Sequence, residues 1–208
     1  MKKILFGLLC ALAMSSAAFA APTVNGSTGQ INNPSADVLR EGQFAAGYYR
    51  LKNGGGGVFD INIAARLEVG VAGFRYDNSA ANKTLVNAKF GLLSETVLTP
   101  GVAAGVEDIA AQRQRSFYAV ASKALPFGFR LHAGFGNGRF DGVFAALEKT
   151  LNPVSVVKGN NTFPATTLIV EFDGHTTNYG ARVSIIPSLK LDAGWRNHEA
   201  YFGLSFTS

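Results

Sequence analysis

Residues 186–197 read IPSLKLDAGWRN, a proline turn followed by strict alternation of apolar and polar side chains. Leu189, Leu191, Ala193 and Trp195 fall on one face and Lys190, Asp192, Gly194 and Arg196 on the other, because successive side chains of an extended strand point to opposite sides. The stretch 125–138, LPFGFRLHAGFGNG, repeats the arrangement: Phe129, Leu131, Ala133 and Phe135 oppose Arg130, His132 and Gly134. Two further units of turn and return, ARLEVGVAGFRYD at 65–77 and TPGVAAGVEDI at 99–109, have the same form. Strands of about nine or ten residues, rising ~3.3 Å per residue at a tilt of ~40°, climb about 25 Å, the height of the apolar band of an outer membrane. The pattern predicts an all-β chain folded as an antiparallel transmembrane β-barrel.

Working outward from these units, strands are expected near 43–51, 58–66, 68–76, 85–93, 101–109, 116–124, 128–136, 142–151, 165–173, 177–185, 189–197 and 199–207. The total of about twelve is even, as single-chain bacterial barrels require. With both ends in the periplasm, the connections near 67, 94–100, 125–127, 152–164 and 186–188 lie on that side, and four of them contain Pro, which is excluded from central strands. Those at 52–57, 77–84, 110–115, 137–141, 174–176 and near 198 face outward and are polar. The Gly54–Gly57 run and Gly136-Asn137-Gly138 lack the strand-to-helix context of a phosphate loop and read as hairpin loops. The segment 152–164 is too long for a simple turn; its Val154–Val157 either extends a strand or starts a small flap. The final strand carries a Gly-x-x-aromatic spacing at Gly203 and Phe206, similar to the C-terminal insertion signal of outer-membrane proteins.

The N-terminus supplies a matching address. Lys2 and Lys3 precede the apolar run Ile4–Met14, and Ala18-Phe19-Ala20 forms a small-x-small cleavage site, so residues 1–20 read as a secretory signal peptide. The run is too short to span a bilayer as a helix. Cys10, the one cysteine, lies inside it, so the mature chain is expected to hold no disulfide and no thiolate metal site. Residues 21–42 lack periodicity and form an N-terminal segment expected to be extended, with the barrel at 43–208. Ile31, Pro34, Ala36, Val38 and Leu39 are apolar enough to anchor residues 29–42, either at the periplasmic mouth or inside the lumen. Removing the signal lysines lowers the formal charge from +5 to about +3, with no basic run, which argues against nucleic acid. Among 24 Gly and 16 Phe, Gly lets inward positions accept large neighbours, while Phe and Tyr suit outward anchoring at lipid interfaces.

Alternation assigns Asp60, Asn62, Arg66, Asn87, Lys89, Glu107, Arg130, His132, Glu148, Glu171, Arg182, Lys190, Asp192 and Arg196 to the lumen. Charges this dense are expected to pair with one another, because unpaired charge in a partly dry interior is costly. Glu171 and Asp173 share a strand face as paired glycosidase carboxylates would. Asp173-Gly174 is also a turn opener, and Glu171 beside Arg182 reads as a cross-strand pair. His132 falls in the lumen beside Arg130, whereas His175 and His198 fall in outward loops without a third metal ligand. No serine motif marks a hydrolase, and no catalytic, metal or cofactor site is assigned.

Two stretches carry a family resemblance. Residues 29–44, GQINNPSADVLREGQF, resemble the opening of the YjbH family of outer-membrane proteins linked to exopolysaccharide production, and residues 168–183, LIVEFDGHTTNYGARV, resemble a strand pair of the same family. The better-known members are longer, so the resemblance implies a minimal, single-barrel version. It implies a protein of the outer membrane assisting exopolysaccharide export or acting as a narrow porin or scaffold, and the absence of a catalytic constellation among the residues makes it non-enzymatic. The expected partners are outer-membrane lipid, the barrel-assembly machinery, and polysaccharide or export proteins. The alternatives are a barrel hydrolase acting on lipid or glycan, with His132 as base, and a secreted soluble β-sandwich binding protein. The lumen of a barrel this size is either plugged or holds a narrow polar passage.

Overall fold

In the computed structural model, which describes residues 21–77, 82–152, 156–158 and 161–208, the alternating strands close on themselves. The order is β1 (Phe44–Leu51), β2 (Gly54–Ala64), β3 (Leu67–Tyr76), β4 (Lys83–Leu93), β5 (Gly101–Glu107), β6 (Ser116–Ala124), β7 (Phe129–Gly136) and β8 (Gly142–Asn152). A short ribbon of β9 (Val156–Lys158) and β10 (Asn161–Phe163) follows, then β11 (Ala165–Phe172), β12 (Thr177–Ile186), β13 (Leu189–Arg196) and β14 (Glu199–Thr207). All but the ribbon form a closed barrel of 12 strands. Each barrel strand pairs antiparallel with its neighbours, and β14 returns to β1 through pairs from Ala45↔Thr207 to Arg50↔Phe202. Closure removes every free edge and excludes a two-sheet sandwich. The predicted signal peptide lies outside the described residues, as does Val154.

The outward face is apolar over its middle. Phe59, Val71, Leu147 and Leu204 are exposed in mid-strand, and Leu131, Phe135, Val143, Val170, Trp195 and Phe202 share that face. Outward charges on the strands, such as Arg50, Arg75, Lys123 and Lys149, fall near strand ends. Lys123 and Lys149 fold back onto loop carbonyls at Thr96, Val97 and Phe127. Aromatic rings cluster where β1, β2 and β14 meet, with Phe44 5.9 Å from both Phe59 and Phe206.

The inward face is built from glycines set against large rings. Gly56 pairs with Phe74, Gly105 with Tyr118, Gly134 with Phe144 and Gly203 with Tyr49, and a Cβ on any of these glycines would meet the opposing ring. Aromatics therefore line the lumen as well as the outer surface, so outward anchoring is only one of their roles. The same constraint corrects the Gly54–Gly57 loop: these residues belong to β2 and pair with both β1 and β3. Only Lys52 and Asn53 make the turn. Arg66 is also corrected. A register irregularity between Asn62 and Ala64 ends the alternation, and Arg66 sits exposed in the β2–β3 turn at φ 65°, donating to the Leu92 carbonyl at 3.1 Å.

Replacing Gly134 by Val should drive Phe144 out of place and cost about 1–3 kcal/mol by overpacking. Val at Gly73, where a Cβ meets nothing within 4 Å, should be tolerated. Denaturant midpoints in detergent micelles compare the two.

Candidate functional site in the barrel lumen

The lumen is filled by the chain's own N-terminal segment. Ala21–Ala36 is buried throughout, and the segment is not extended. Bridges Pro22↔Thr28 and Gly29↔Pro34 fold it back on itself, leaving Gly29 so close to the Asn33 carbonyl and to Pro34 Cα, 2.8 Å from an added Cβ, that no side chain fits. Val24 and Ile31 pack with Tyr49, Val58, Phe74, Leu85, Ile169 and Tyr201 of the wall. Ala36 joins Tyr118, Val120, Phe140 and Phe144. Burying Val24 and Ile31 is worth about 1.5–3 kcal/mol apiece.

A buried loop must satisfy its peptide groups, and here the barrel's ionisable side chains do so. Glu171 accepts three consecutive backbone N–H groups, from Ile31 at 3.0 Å, Asn32 at 2.8 Å and Asn33 at 3.2 Å. Asp60 accepts from Ser27 N–H at 2.9 Å. Arg182 donates to the Gly29 and Gln30 carbonyls at 3.1 and 2.9 Å and to Asp192 at 2.7 Å. Lys89 donates to the Thr28 carbonyl at 2.9 Å and to that of Asp37 at 2.6 Å, and lies 3.3 Å from Glu68. Asn87 holds the Asn25 carbonyl at 2.7 Å, and Tyr49 that of Pro22 at 2.5 Å. Glu107 is bound by Arg139, which also donates to the Asn32 carbonyl. Glu148 accepts from Gln30 at 3.1 Å, and Arg196 donates to the Asn32 side chain. Lys190 is buried on the same inward row as Asp192.

The expected mutual pairing of lumen charges is thus only part of the arrangement. Glu171 does not pair with Arg182, because its register partner is Asn178, whereas Arg182 stands opposite Thr167 and Asp192. Glu68 escaped the lumen assignment although it alternates with Gly70, Ala72 and Phe74. It accepts from Thr28 N–H at 2.8 Å and Leu39 N–H at 3.2 Å. Arg130 is clamped by Asp37 at 2.7 Å and Glu95 at 2.8 Å. Neither carboxylate lies on a strand, so alternation carries no signal for them. Arg139 likewise enters from the β7–β8 turn.

Two sets of groups with catalytic potential are present. Ser122 Oγ lies 2.7 Å from His132 Nδ1, and His132 Nε2 lies 3.7 Å from Glu148. All three are buried, and Ser122 Oγ also accepts the Ala36 N–H at 2.8 Å. Glu171 and Asp173 are likewise occupied by donors. Asp173 opens the β11–β12 turn, where burial raises its carboxyl's pKa but N–H donors from Thr176, Asn32, Asn178 and His175 outweigh that effect and hold it below the usual value. His175 sits in that turn and His198 in the turn after β13.

The YjbH family model, described as exopolysaccharide biosynthesis protein YbjH, matches residues 23–162. The chain belongs to this family. The match begins inside the plug and runs past β8 into β10, so the plug and the first eight strands of the wall fall within one family unit; the 168–183 stretch lies beyond it. A search of curated proteins finds no match.

Changing Glu171 to Ala leaves three buried N–H donors without an acceptor, at about 1–3 kcal/mol each if none relaxes. Amide exchange at residues 31–33 should accelerate at least about tenfold, with a smaller effect for Glu171→Gln.

Proposed function

We propose that this member of the YjbH family is an outer-membrane barrel, closed by its own N-terminal segment, that assists export or surface handling of exopolysaccharide without catalysing a reaction. The observation that carries the reading is the division of the wall into an apolar outer band and an inner surface whose charges bind the plug. The exposed apolar residues suit contact with hydrocarbon, and the family's description supports the link to exopolysaccharide. The mouth holding the chain ends faces the periplasm, as in barrels of this class. With the plug seated, the barrel is a scaffold rather than an open porin.

The non-catalytic reading is supported by the state of the candidate groups. The Ser122 hydroxyl is engaged by Ala36 and His132, and the Glu171 and Asp173 carboxylates by plug and turn donors. The Ser122, His132 and Glu148 set keeps a barrel hydrolase in view as the second reading. Lipid or glycan hydrolysis lost in both Ser122→Ala and His132→Ala, with folding retained, would establish it.

Two measurements test the first reading. Deleting the gene should lower secreted polysaccharide. Deleting residues 22–37 should raise single-channel conductance in planar bilayers well above that of the intact protein, provided heat-shifted gel migration shows the barrel still forms. Unchanged conductance in a folded deletion variant would contradict a seated plug.

A further inference from the structure

At the mouth opposite the chain ends a cavity of about 440 Å³ opens above the plug, with Asn25 and Asn32 among the lining residues. A second cavity, of about 270 Å³, adjoins it and shares Arg113, Arg196 and Asn197. The carboxylates lining the larger one are already engaged. Glu107 is bound by Arg139. Asp108 accepts the backbone N–H groups of Gln112 at 2.9 Å and Arg113 at 2.6 Å. Asp173 accepts from Thr176 and Asn32 at 2.9 and 2.7 Å.

Two guanidinium groups stand apart from this pairing. Among the described residues neither Arg113 nor Arg196 forms an ion pair. Arg113 lies 4.0 Å over the Phe74 ring and donates one Nη2 N–H to the Tyr76 hydroxyl, so the aromatic surface there is capped by an anchored cation whose remaining N–H groups face the cavity's contents. A neutral sugar ring stacking on that surface would have to displace the cation, whereas an acidic group meets it directly. Arg196 is anchored through Nε to Asn32. Stacked or anchored guanidinium groups are pre-organised to bind carboxylates through paired N–H donors, and the Asn197 and Gln114 amides beside them suit hydroxyls.

We propose that these adjoining cavities bind the carboxylate groups of an acidic, uronate-bearing saccharide, with Arg113 and Arg196 as the direct contacts. The assignment rests on the exopolysaccharide reading above and adds the chemical class of the glycan. A ligand held by Arg196 also touches the residue that grips the plug at Asn32.

Calorimetric titration of the full mature protein in detergent micelles tests this with three probes: oligogalacturonate, neutral maltohexaose and inorganic phosphate. Oligogalacturonate should bind and maltohexaose should not, a comparison that needs no variant. Arg113→Gln and Arg196→Gln, checked for heat-shifted migration, should each weaken binding about tenfold, the loss of one charge-assisted contact. Absent binding, equal binding of the neutral sugar, tighter binding of phosphate than of oligogalacturonate, or unchanged affinity in the folded double variant would overturn the assignment. In cells lacking the gene, full restoration of secreted polysaccharide by the double variant would overturn this site alone. An unaffected polysaccharide level on gene deletion would overturn the export reading beneath it.

Discussion

A charge inside a barrel has to be paired or hydrated, and this lumen is too full for hydration to suffice. The rest of the structure follows from how the pairing is made. Lys89 pairs with Glu68 and Arg182 with Asp192 across the wall, but strand register sets Glu171 opposite Asn178, which cannot neutralise it. Their remaining donors and acceptors are met by peptide groups of residues 27–39. The dependence is reciprocal. A segment whose internal hydrogen bonds leave the N–H groups of Ser27, Thr28, Ile31, Asn32 and Asn33 over gains partners for them from the wall, and a wall with surplus polar groups gains a filling that supplies both N–H and C=O. Truncating either side leaves buried groups unpaired on the other, so plug and barrel are expected to lose stability together.

Shape is handled by a different device. A lumen lined only by large side chains would have no space for sixteen plug residues, Ala21–Ala36, and one lined only by small residues would leave voids. Setting Gly134 against Phe144, or Gly203 against Tyr49, lays a ring flat along the wall and turns it into packing surface. The outward face of those same strands exposes Phe135 and Leu204. One period-2 pattern thus provides two chemically different surfaces, with the charged side chains concentrated inside or near the ends.

That pattern is why the barrel was legible in the sequence. The expected strand positions match the observed ones to within a few residues, and most inward charges were placed by alternation alone. Failures came where alternation loses meaning. The Gly54–Gly57 run has no side chains to alternate, so its strand looked like a loop. Arg66 lies past a register irregularity, in a turn that breaks the parity. Glu171 and Arg182 share a face but not a register position, and register is fixed by the turn at Asp173–Thr176 rather than by the strand sequence. The plug was visible only as an apolar stretch able to anchor, because contacts such as Asn32 with Asp173 join residues 141 positions apart.

For a polysaccharide-linked barrel, a plug held by many modest polar contacts differs from a welded core. Asn32 lines the cavity at the mouth and accepts from Arg196, so the plug is reachable from that side. The central claim, that the N-terminal segment sits inside the barrel, is tested most directly by a disulfide. The Ala36 N–H reaches the Ser122 hydroxyl at 2.8 Å, so Cys at both positions should cross-link on mild oxidation of the folded protein. The product should show as a shift in reduced against non-reduced gels, absent from either single variant. A folded double-Cys barrel whose thiols both stay free would contradict the account.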